Sequence, residues 1–235
     1  MLISGIQKIS LIDFPDTPAC IVFTPGCNFR CGMCHNPEFV LPEEILKIKD
    51  SFIPEGAVLR FLRARKGMLE GVVITGGEPT IQGDLLTFMK KIRDEGLKIK
   101  LDSNGARPEI LEQVIEQQLV DYIAMDLKHI PEKYQGVSGR CVQPEKIRSS
   151  IRTIVNSGVD HEFRTTVIKE IHTPEIMKKM AREVEGAQNL YLQAFRPGKT
   201  LDPAYGTLTT YKDAKLTEFA RDIFSPHVMH ADVRI

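Results

Sequence analysis

The sequence predicts an α/β fold, in the form of a partial (open) parallel (βα)6 TIM-like barrel with its site at the C-terminal rim of the strands. Short apolar runs rich in Val and Ile alternate along the chain with stretches whose apolar residues recur at helical spacing. Polar segments directly follow several of the runs, and the carboxyl ends of parallel strands share one rim. No linker or internal repeat interrupts the alternation, so we expect residues 1–235 to form a single domain.

The predicted strands begin with ACIVFT at 19–24 and GVVIT at 71–75, which have the length and composition of buried strands. The others cover 98–101, 122–125, 162–168 and 190–194, with a closing strand at 228–233.

The predicted helices cover 55–65, 84–95, 108–118, 144–156, 174–184 and 210–223. Gly96 is suited to end the second helix, and Pro108 is suited to the first turn of the third. The loops at 135–139 and 198–206 are predicted to be mobile.

Composition and charge exclude several classes of protein. Lys+Arg and Asp+Glu each number 31, so there is no basic excess of the kind that nucleic-acid binding requires. The longest apolar runs, ACIVF and GVVI, are far too short to span a bilayer. The first residues, MLISGIQKISLIDFPD, lack the cationic and apolar regions of a signal peptide. We therefore expect a cytoplasmic protein that binds neither nucleic acid nor membrane.

Three cysteines, Cys27, Cys31 and Cys34, lie within the stretch CNFRCGMCHNP at the spacing C-x3-C-x2-C. A structural zinc site takes four ligands and a disulfide takes two, so three thiols suit neither. Soft thiolates select iron–sulfur clusters, zinc or copper(I), and a four-iron cluster held by three thiolates keeps one iron open. A zinc site with His35 as the fourth ligand is the alternative. The two other cysteines, Cys20 and Cys141, are predicted to be packing residues.

Further polar segments follow the next predicted strands. TGGEP at 75–79 follows the second strand, DSNG at 102–105 the third, and Asp126 and Lys128 the fourth. The cysteine loop follows the first. Four consecutive loops are therefore expected to converge on one rim.

These motifs resemble those of the radical S-adenosylmethionine (SAM) superfamily, through C-x3-C-x2-C followed by GGEP. LIDFPD, CHNP, DSNG, DLK and YLQAFRPG, in this order, resemble the glycyl radical enzyme activases, most closely those of anaerobic ribonucleoside-triphosphate reductase. The resemblance implies one [4Fe-4S] cluster whose open iron is chelated by SAM. It further implies reductive cleavage of SAM to methionine and a 5′-deoxyadenosyl radical, which takes a hydrogen atom from a glycine of the partner enzyme. A reduced flavodoxin or ferredoxin would supply the electron.

The resemblance also implies roles for individual residues. Cys27, Cys31 and Cys34 would ligate iron. The adenine would be bordered by Met33, Cys34 and His35. The methionyl amine would be approached by Gly76, Gly77 and Glu78, with glycine allowing close backbone approach. The methionyl end would lie near Asp102 and Asn104, and the ligand's polar groups would contact Asp126 and Lys128. A monovalent cation near the two aspartates is a further suggestion.

Two positions depart from the family pattern. Met33 stands where an aromatic residue usually precedes the third cysteine, and a thioether can still pack on an adenine edge. Phe195 stands where the pyruvate formate-lyase activase has a ligand-contacting histidine, which weakens that assignment. Gln193, on the same strand face, could supply a polar contact instead.

Three alternatives remain open on the sequence alone. The chain could activate another glycyl radical enzyme, such as pyruvate formate-lyase. It could be a radical SAM enzyme acting on a small molecule, like 7-carboxy-7-deazaguanine synthase. It could also be a non-catalytic metal-binding or electron-transfer protein, which would leave TGGEP, DSNG and DLK unexplained.

Overall fold

The structure is a computed structural model that describes residues 1–234, and it has the predicted α/β class. In the described residues, eight strands form one sheet in the order β1-β2-β3-β4-β5-β6-β7-β8. They are β1 (Gly5–Ser10), β2 (Ala19–Thr24), β3 (Gly71–Gly76), β4 (Lys98–Ser103), β5 (Tyr122–Asp126), β6 (Asp160–Val167), β7 (Asn189–Ala194) and β8 (His230–Arg234). β1 runs antiparallel to β2, whereas β2–β3, β3–β4, β6–β7 and β7–β8 are parallel pairs. The predicted open, mostly parallel sheet is confirmed.

Helices lie between the parallel strands, as the alternating pattern predicts. They are α1 (Pro42–Ile48), α2 (Glu55–Ala64), α3 (Leu85–Asp94), α4 (Pro108–Glu116), α5 (Tyr134–Ser138), α6 (Pro144–Val155), α7 (Pro174–Glu183) and α8 (Asp213–Phe219). Apart from α8, the predicted boundaries agree with those in the structure to within two residues.

The chain divides into two compact units. The first consists of Met1–Asn28, Asn36–Ser103 and Glu109–Ile123, and it contains β1 to β4. Val72 and Ile74 of β3 are fully buried, and α3 buries the apolar stripe that the sequence predicts. The stripe consists of Leu85, Phe88, Met89 and Ile92.

The second unit consists of Phe29–His35, Asn104–Pro108 and the chain from Ala124 onward, with β6 to β8 and α5 to α8. Its fully buried core includes Phe163 of β6 and Leu190 and Leu192 of β7. The single-domain organisation over residues 1–235 stays a prediction.

Three elements were missed by the sequence analysis. β1 alternates poorly because its residues are mostly half-buried or exposed, as is common on an edge strand. α1 buries no residue, so it has no apolar stripe from which to predict it. α5 lies where a mobile loop was expected at 135–139, yet Tyr134 at its start is completely buried.

The last helix is shorter than predicted. Instead of running over 210–223, α8 ends at Phe219 and continues as a π-helical turn at Ala220–Phe224. The segment 198–206, also expected to be a loop, carries the short 3-10 helix Pro203–Thr207. None of the helices in the described part of the chain has the length and apolarity that a bilayer crossing requires.

Candidate active site

In the first unit, the TGGE segment docks on the backbone that leads into the cysteine loop. The Gly77 N–H donates to the Thr24 carbonyl at 2.8 Å, and the Glu78 N–H donates to the Gly26 carbonyl at 2.8 Å. Gly76 has φ of 118°, a conformation that L side chains rarely adopt. A Cβ on Gly77 would lie 2.6 Å from the Gly26 carbonyl carbon. The glycine pair thus allows the TGGE backbone to contact the backbone at Thr24 and Gly26. This contact requires glycine in addition to any close approach of a ligand.

Glu78 is a fixed, buried carboxylate rather than a loose loop acid. It is 1% exposed, and its Oε1 accepts hydrogen bonds from the Thr80 N–H at 3.1 Å, the Thr80 hydroxyl at 2.5 Å and the Ser103 hydroxyl at 2.9 Å. A carboxylate that receives several hydrogen bonds is oriented by them. The negative charge of Glu78 therefore has a defined position at the end of β3.

Replacing Glu78 with alanine is expected to lower the free energy of unfolding by about 1–3 kcal/mol, because buried donors on Thr80 and Ser103 lose their acceptor. Glu78→Gln should lose less, because its amide oxygen can still accept. Urea unfolding of both variants measures the loss. The matched control is Glu112→Ala on the exposed face of α4. An equal, small effect of Glu78→Ala and Glu112→Ala would contradict the proposed fixation.

Asp102 lies at the end of β4 beside a buried lysine. Lys100, two residues earlier on the same strand face, places its Nζ 2.6 Å from Asp102 Oδ1 and is only 2% exposed. The Lys100 ammonium also lies 5.9 Å from the centre of the Tyr122 ring. Lys100 was not among the predicted site residues, although its i, i+2 spacing from Asp102 was the available signal.

In the second unit, two charged side chains at the end of β5 and one on β6 form an ion-paired group. Lys128 Nζ lies 3.1 Å from Asp126 Oδ2, and Arg164 Nε donates to Asp126 Oδ1 at 3.1 Å. Burial alone would raise the pKa of Asp126, but the Lys128 and Arg164 charges outweigh it and lower the pKa to about 2. Asp126 is therefore ionised at neutral pH, and its side chain stays 37% exposed, within reach of a ligand.

Lys128 is correspondingly a permanent cation. Burial acts to lower the pKa of Lys128, but the charges of Asp126 and Cys31 outweigh burial and raise it. The same interaction acts on the thiol: burial raises the pKa of Cys31, and the Lys128 charge opposes that rise. The predicted DLK lysine and the central cysteine of the motif thus lie close enough to interact electrostatically. Arg164, which the predicted site did not include, belongs to the same group.

The backbone of Lys128 is held on both sides by buried side chains. Its N–H donates to the Tyr134 hydroxyl at 3.0 Å, and its carbonyl lies 3.0 Å from His172 Nε2. His172 Nδ1 accepts from the Ile168 N–H at 2.9 Å, so the neutral Nε2–H tautomer satisfies both contacts. Tyr134 and His172 therefore position Lys128 without contacting its ammonium group.

The neighbouring His129 predicts a pH dependence of stability. Burial lowers the pKa of His129 to about 4, and repulsion from His172 when both rings are protonated acts in the same direction. His129 takes up a proton near pH 6.5 in the unfolded chain but only near pH 4 in the folded chain. The stability that the neutral, buried His129 contributes is therefore fully present above pH 6.5 and is lost as the pH falls towards 4. Between pH 7 and pH 5 we expect His129 to reduce the free energy of unfolding by about 2 kcal/mol.

Urea unfolding at the two pH values tests the role of His129. The loss of stability on acidification should shrink in His129→Asn and stay at the wild-type level in His230→Asn, which alters an exposed histidine. An unchanged loss in His129→Asn would exclude it as the titrating group.

The three cysteines of the cysteine loop are thiols rather than disulfides, as are Cys20 and Cys141. Cys31 is 8% exposed, and Cys27 and Cys34 are half-buried. The Cys34 N–H donates to the Cys31 carbonyl at 3.0 Å, which closes a tight turn between the two thiols. Among residues 1–234, no group of three or more His, Cys, Asp or Glu side chains surrounds a single metal-ion position. A [4Fe-4S] cluster does not require one, because each thiolate binds a different iron.

The residues predicted to border the adenine lie in the second unit. Met33 is buried, whereas His35 is exposed and stacks on Phe195 with ring centroids 5.8 Å apart. Gln193 is half-buried on β7, in register with Thr166 of β6. Asn104 uses its Oδ1 to accept from the Ala106 N–H at 3.0 Å, which shapes its own turn.

Comparison with known proteins identifies the family. The model of the radical SAM superfamily matches residues 21–184. The chain belongs to the radical SAM superfamily. A relative from Methanocaldococcus jannaschii, provisionally named as a glycyl-radical enzyme activating enzyme, is 30% identical over 225 residues, covering 94% of this chain and 90% of the relative. This radical SAM enzyme is thus a member of the glycyl-radical enzyme activating enzymes, and its family implies a [4Fe-4S] cluster and SAM.

One further relative and one solved structure share less sequence identity with this radical SAM enzyme. The pyruvate formate-lyase-activating enzyme of Clostridium pasteurianum is 24% identical over 232 residues, covering 94% of this chain and 90% of that enzyme. Among solved structures, Streptococcus suis SuiB bound to its precursor peptide SuiA has a TM-score of 0.64 at 16% identity over 92% of this chain. The chain spans 48% of SuiB, and at this identity the likeness shows the fold alone.

Proposed function

We propose that this radical SAM enzyme activates anaerobic ribonucleoside-triphosphate reductase by generating a glycyl radical in it. The observation that carries the activase assignment is the relative from Methanocaldococcus jannaschii, whose similarity extends over nearly the full length of both chains. The choice of reductase as partner is supported by LIDFPD and CHNP and by Phe195, which stands where the pyruvate formate-lyase activase has a histidine.

The three thiols of the cysteine loop suit the cluster that the family implies. Cys27, Cys31 and Cys34 form no disulfide, and thiolates are the ligands that iron–sulfur clusters select. With these three residues as its ligands, the single [4Fe-4S] cluster would supply one electron to the SAM sulfonium and yield methionine and a 5′-deoxyadenosyl radical. That radical would take a hydrogen atom from the partner's glycine, giving 5′-deoxyadenosine and the glycyl radical.

The charged residues described above are proposed to hold SAM. The Lys128 ammonium pairs with the ligand carboxylate, and the ionised Asp126 accepts hydrogen bonds from ligand hydroxyl or amine groups. Glu78 is fixed, so its charge can orient the methionyl amine without reorganisation. The remaining contacts are assigned as the resemblance implies, to Met33, Cys34, His35, Gly76, Gly77, Asp102 and Asn104. Gln193 is assigned a polar contact because it lies on the same strand face as Phe195.

The electron is proposed to come from a reduced flavodoxin or ferredoxin in the cytoplasm, and the substrate is a glycine-bearing loop of the partner protein. Two alternatives have support of their own. The relative from Clostridium pasteurianum is a pyruvate formate-lyase-activating enzyme. A probable GTP 3′,8-cyclase of Thermococcus kodakarensis is 24% identical over 189 residues, covering 71% of this chain and 60% of that protein, and its name describes small-molecule chemistry.

The test measures SAM cleavage and the glycyl radical together. The protein is reconstituted with iron and sulfide without oxygen, reduced with dithionite and supplied with SAM. 5′-Deoxyadenosine is quantified with the anaerobic reductase, with pyruvate formate-lyase and with neither, while electron paramagnetic resonance monitors the glycyl radical. We expect a glycyl signal with matching 5′-deoxyadenosine for the reductase. A glycyl signal with pyruvate formate-lyase but not with the reductase would overturn the proposed choice of partner. Cleavage of SAM without a glycyl signal in either enzyme would overturn the activase function.

A further inference from the structure

A segment far along the chain lies on the cysteine loop. We call residues 199–205 the strap. The Leu201 N–H donates to the Cys34 carbonyl at 2.9 Å, and the Asp202 N–H donates to the Gly32 carbonyl at 3.1 Å. Two backbone hydrogen bonds from adjacent residues therefore hold the strap alongside the residues between the second and third cysteines.

The strap has its own internal support. Asp202 Oδ1 accepts from the Ala204 N–H at 2.9 Å and so caps the 3-10 helix Pro203–Thr207. The Thr200 hydroxyl donates to the Asp202 carbonyl at 2.8 Å, and the Tyr205 N–H donates to the same carbonyl at 3.0 Å. These bonds present the Tyr205 side chain in a defined direction.

The Tyr205 ring fills the space where Gly32 lacks a side chain. A Cβ on Gly32 would lie 2.6 Å from Tyr205 Cδ2 and 2.7 Å from Tyr205 Cζ, distances at which the ring must move. Gly32 is not among the residues with positive φ, so its backbone does not require glycine. The glycine in C-G-M-C is therefore explained by the ring that covers it.

The same ring lies near the central cysteine. The pKa of Tyr205 is raised by burial, then by Asp202 and by Cys31, so the phenol lies within electrostatic reach of the thiol. Cys31 is 8% exposed and lies in the loop between β2 and α1. Tyr205 is half-buried, and its ring is seated on Gly32, the residue that follows Cys31.

We propose that Tyr205, seated on Gly32, is a fitted cover that shields the Cys31 sulfur from water and oxidants. The consequence for the cluster rests on the function proposed above: the reduction potential of an iron–sulfur cluster depends on its solvent exposure. Removing the ring would admit water beside Cys31. Since water stabilises the more negatively charged reduced state, the potential would shift to less negative values.

The first experiment uses the full-length protein before reconstitution, so it does not depend on the cluster. Iodoacetamide labels the reduced protein over time, and tandem mass spectrometry after trypsin resolves each cysteine. We expect Tyr205→Ala to raise the labelling rate of Cys31 several-fold, and Tyr205→Phe, which keeps the ring, to leave it near wild type. Exposed Cys141 is the internal control and should not change.

A second variant keeps the proposal falsifiable if Tyr205→Ala were to disturb the strap itself. Gly32→Ala adds a Cβ that displaces the Tyr205 ring from its seat, and it should raise the rate of Cys31 labelling to a similar extent. The double variant Gly32→Ala/Tyr205→Ala should label no faster than either single variant, because both act through one contact. An unchanged Cys31 rate in Tyr205→Ala, equal rates for Tyr205→Phe and Tyr205→Ala, or additive effects in the double variant would overturn the cover.

The cluster-bearing protein gives the second readout. The midpoint potential of reconstituted Tyr205→Ala should be less negative than that of the wild type, and its cluster should bleach faster in air. If the wild type assembles no cluster, the proposed function fails while the labelling result still stands. A wild-type potential and bleaching rate in Tyr205→Ala, despite faster Cys31 labelling, would confine the cover to the thiol and overturn its effect on the cluster.

Discussion

Replacing Cys31 with alanine is expected to leave the reconstituted protein without an intact [4Fe-4S] cluster and without measurable cleavage of SAM. Only three cysteines lie in the motif, so no local fourth thiol can take the place of the one removed. The Cys31 thiol is also the one near Lys128, whose charge favours the thiolate form that binds iron. Iron and sulfide analysis, the visible absorption of the cluster and the yield of 5′-deoxyadenosine measure the loss.

The control for this prediction is Cys141→Ala, which removes an exposed cysteine outside the motif. That variant should keep the iron and sulfide content of the wild type. Cys31→Ala should also remain folded, because the loss of one small side chain from a loop costs roughly 1 kcal/mol. Wild-type iron and sulfide in Cys31→Ala would rule out the ligand assignment, whereas an unfolded variant would show up in urea unfolding before reconstitution.

The sequence was sufficient for the parallel strands and the helices between them, because both are buried on an apolar face. β3 shows this as a short continuous apolar run whose first four residues are buried, and α3 shows it as an apolar stripe at helical spacing. β1 and α1 were missed because exposed edge strands and exposed short helices have no such period. α5 was missed for another reason: it is ordered by long-range contacts, such as that of Tyr134 with Phe29, whose ring centroids lie 6.4 Å apart.

The candidate site likewise contains residues that the sequence predicts and residues that it does not. The cysteines, the glycine pair and DLK could be found because they are adjacent in sequence. Arg164 and His172 could not be found in this way, because each meets the Asp126–Lys128 segment from a strand or loop more than thirty residues away. The loops at 135–139 and 198–206 were predicted to be mobile. In the structure, Ser138 accepts from the Arg30 N–H at 2.6 Å and the strap lies on Gly32.

Through these two contacts, the polar segments 135–139 and 198–206 support the backbone of the cysteine loop. Residues 29–35 have no regular secondary structure, so their backbone groups must find partners elsewhere. α5 supplies an acceptor at the beginning of this stretch and the strap supplies two donors near its end. Gly139 has φ of 62°, and a Cβ there would lie 3.1 Å from the Arg30 carbonyl carbon. The cysteine loop, which is proposed to hold the cluster, is thus fixed by segments distant in sequence.

Replacing Gly77 with alanine is expected to lower the free energy of unfolding by about 3 kcal/mol, at the upper end for an overpacked site. The added Cβ would lie 2.6 Å from the Gly26 carbonyl carbon and 2.7 Å from the Phe39 carbonyl oxygen. Both are backbone atoms and cannot rotate away as a side chain would. Relief requires the TGGE segment to separate from the residues before Cys27, with loss of the Gly77–Thr24 hydrogen bond.

Gly83→Ala is the matched control, because a Cβ at Gly83 would have no atom within 4 Å and its backbone has no positive φ. Urea unfolding of the two variants separates a general effect of alanine from the clash. Because Gly26 immediately precedes Cys27, Gly77→Ala should also reduce the iron retained after reconstitution, whereas Gly83→Ala should not. If Gly77→Ala matched Gly83→Ala in both stability and iron content, the contact between TGGE and the backbone before Cys27 would not depend on glycine at position 77.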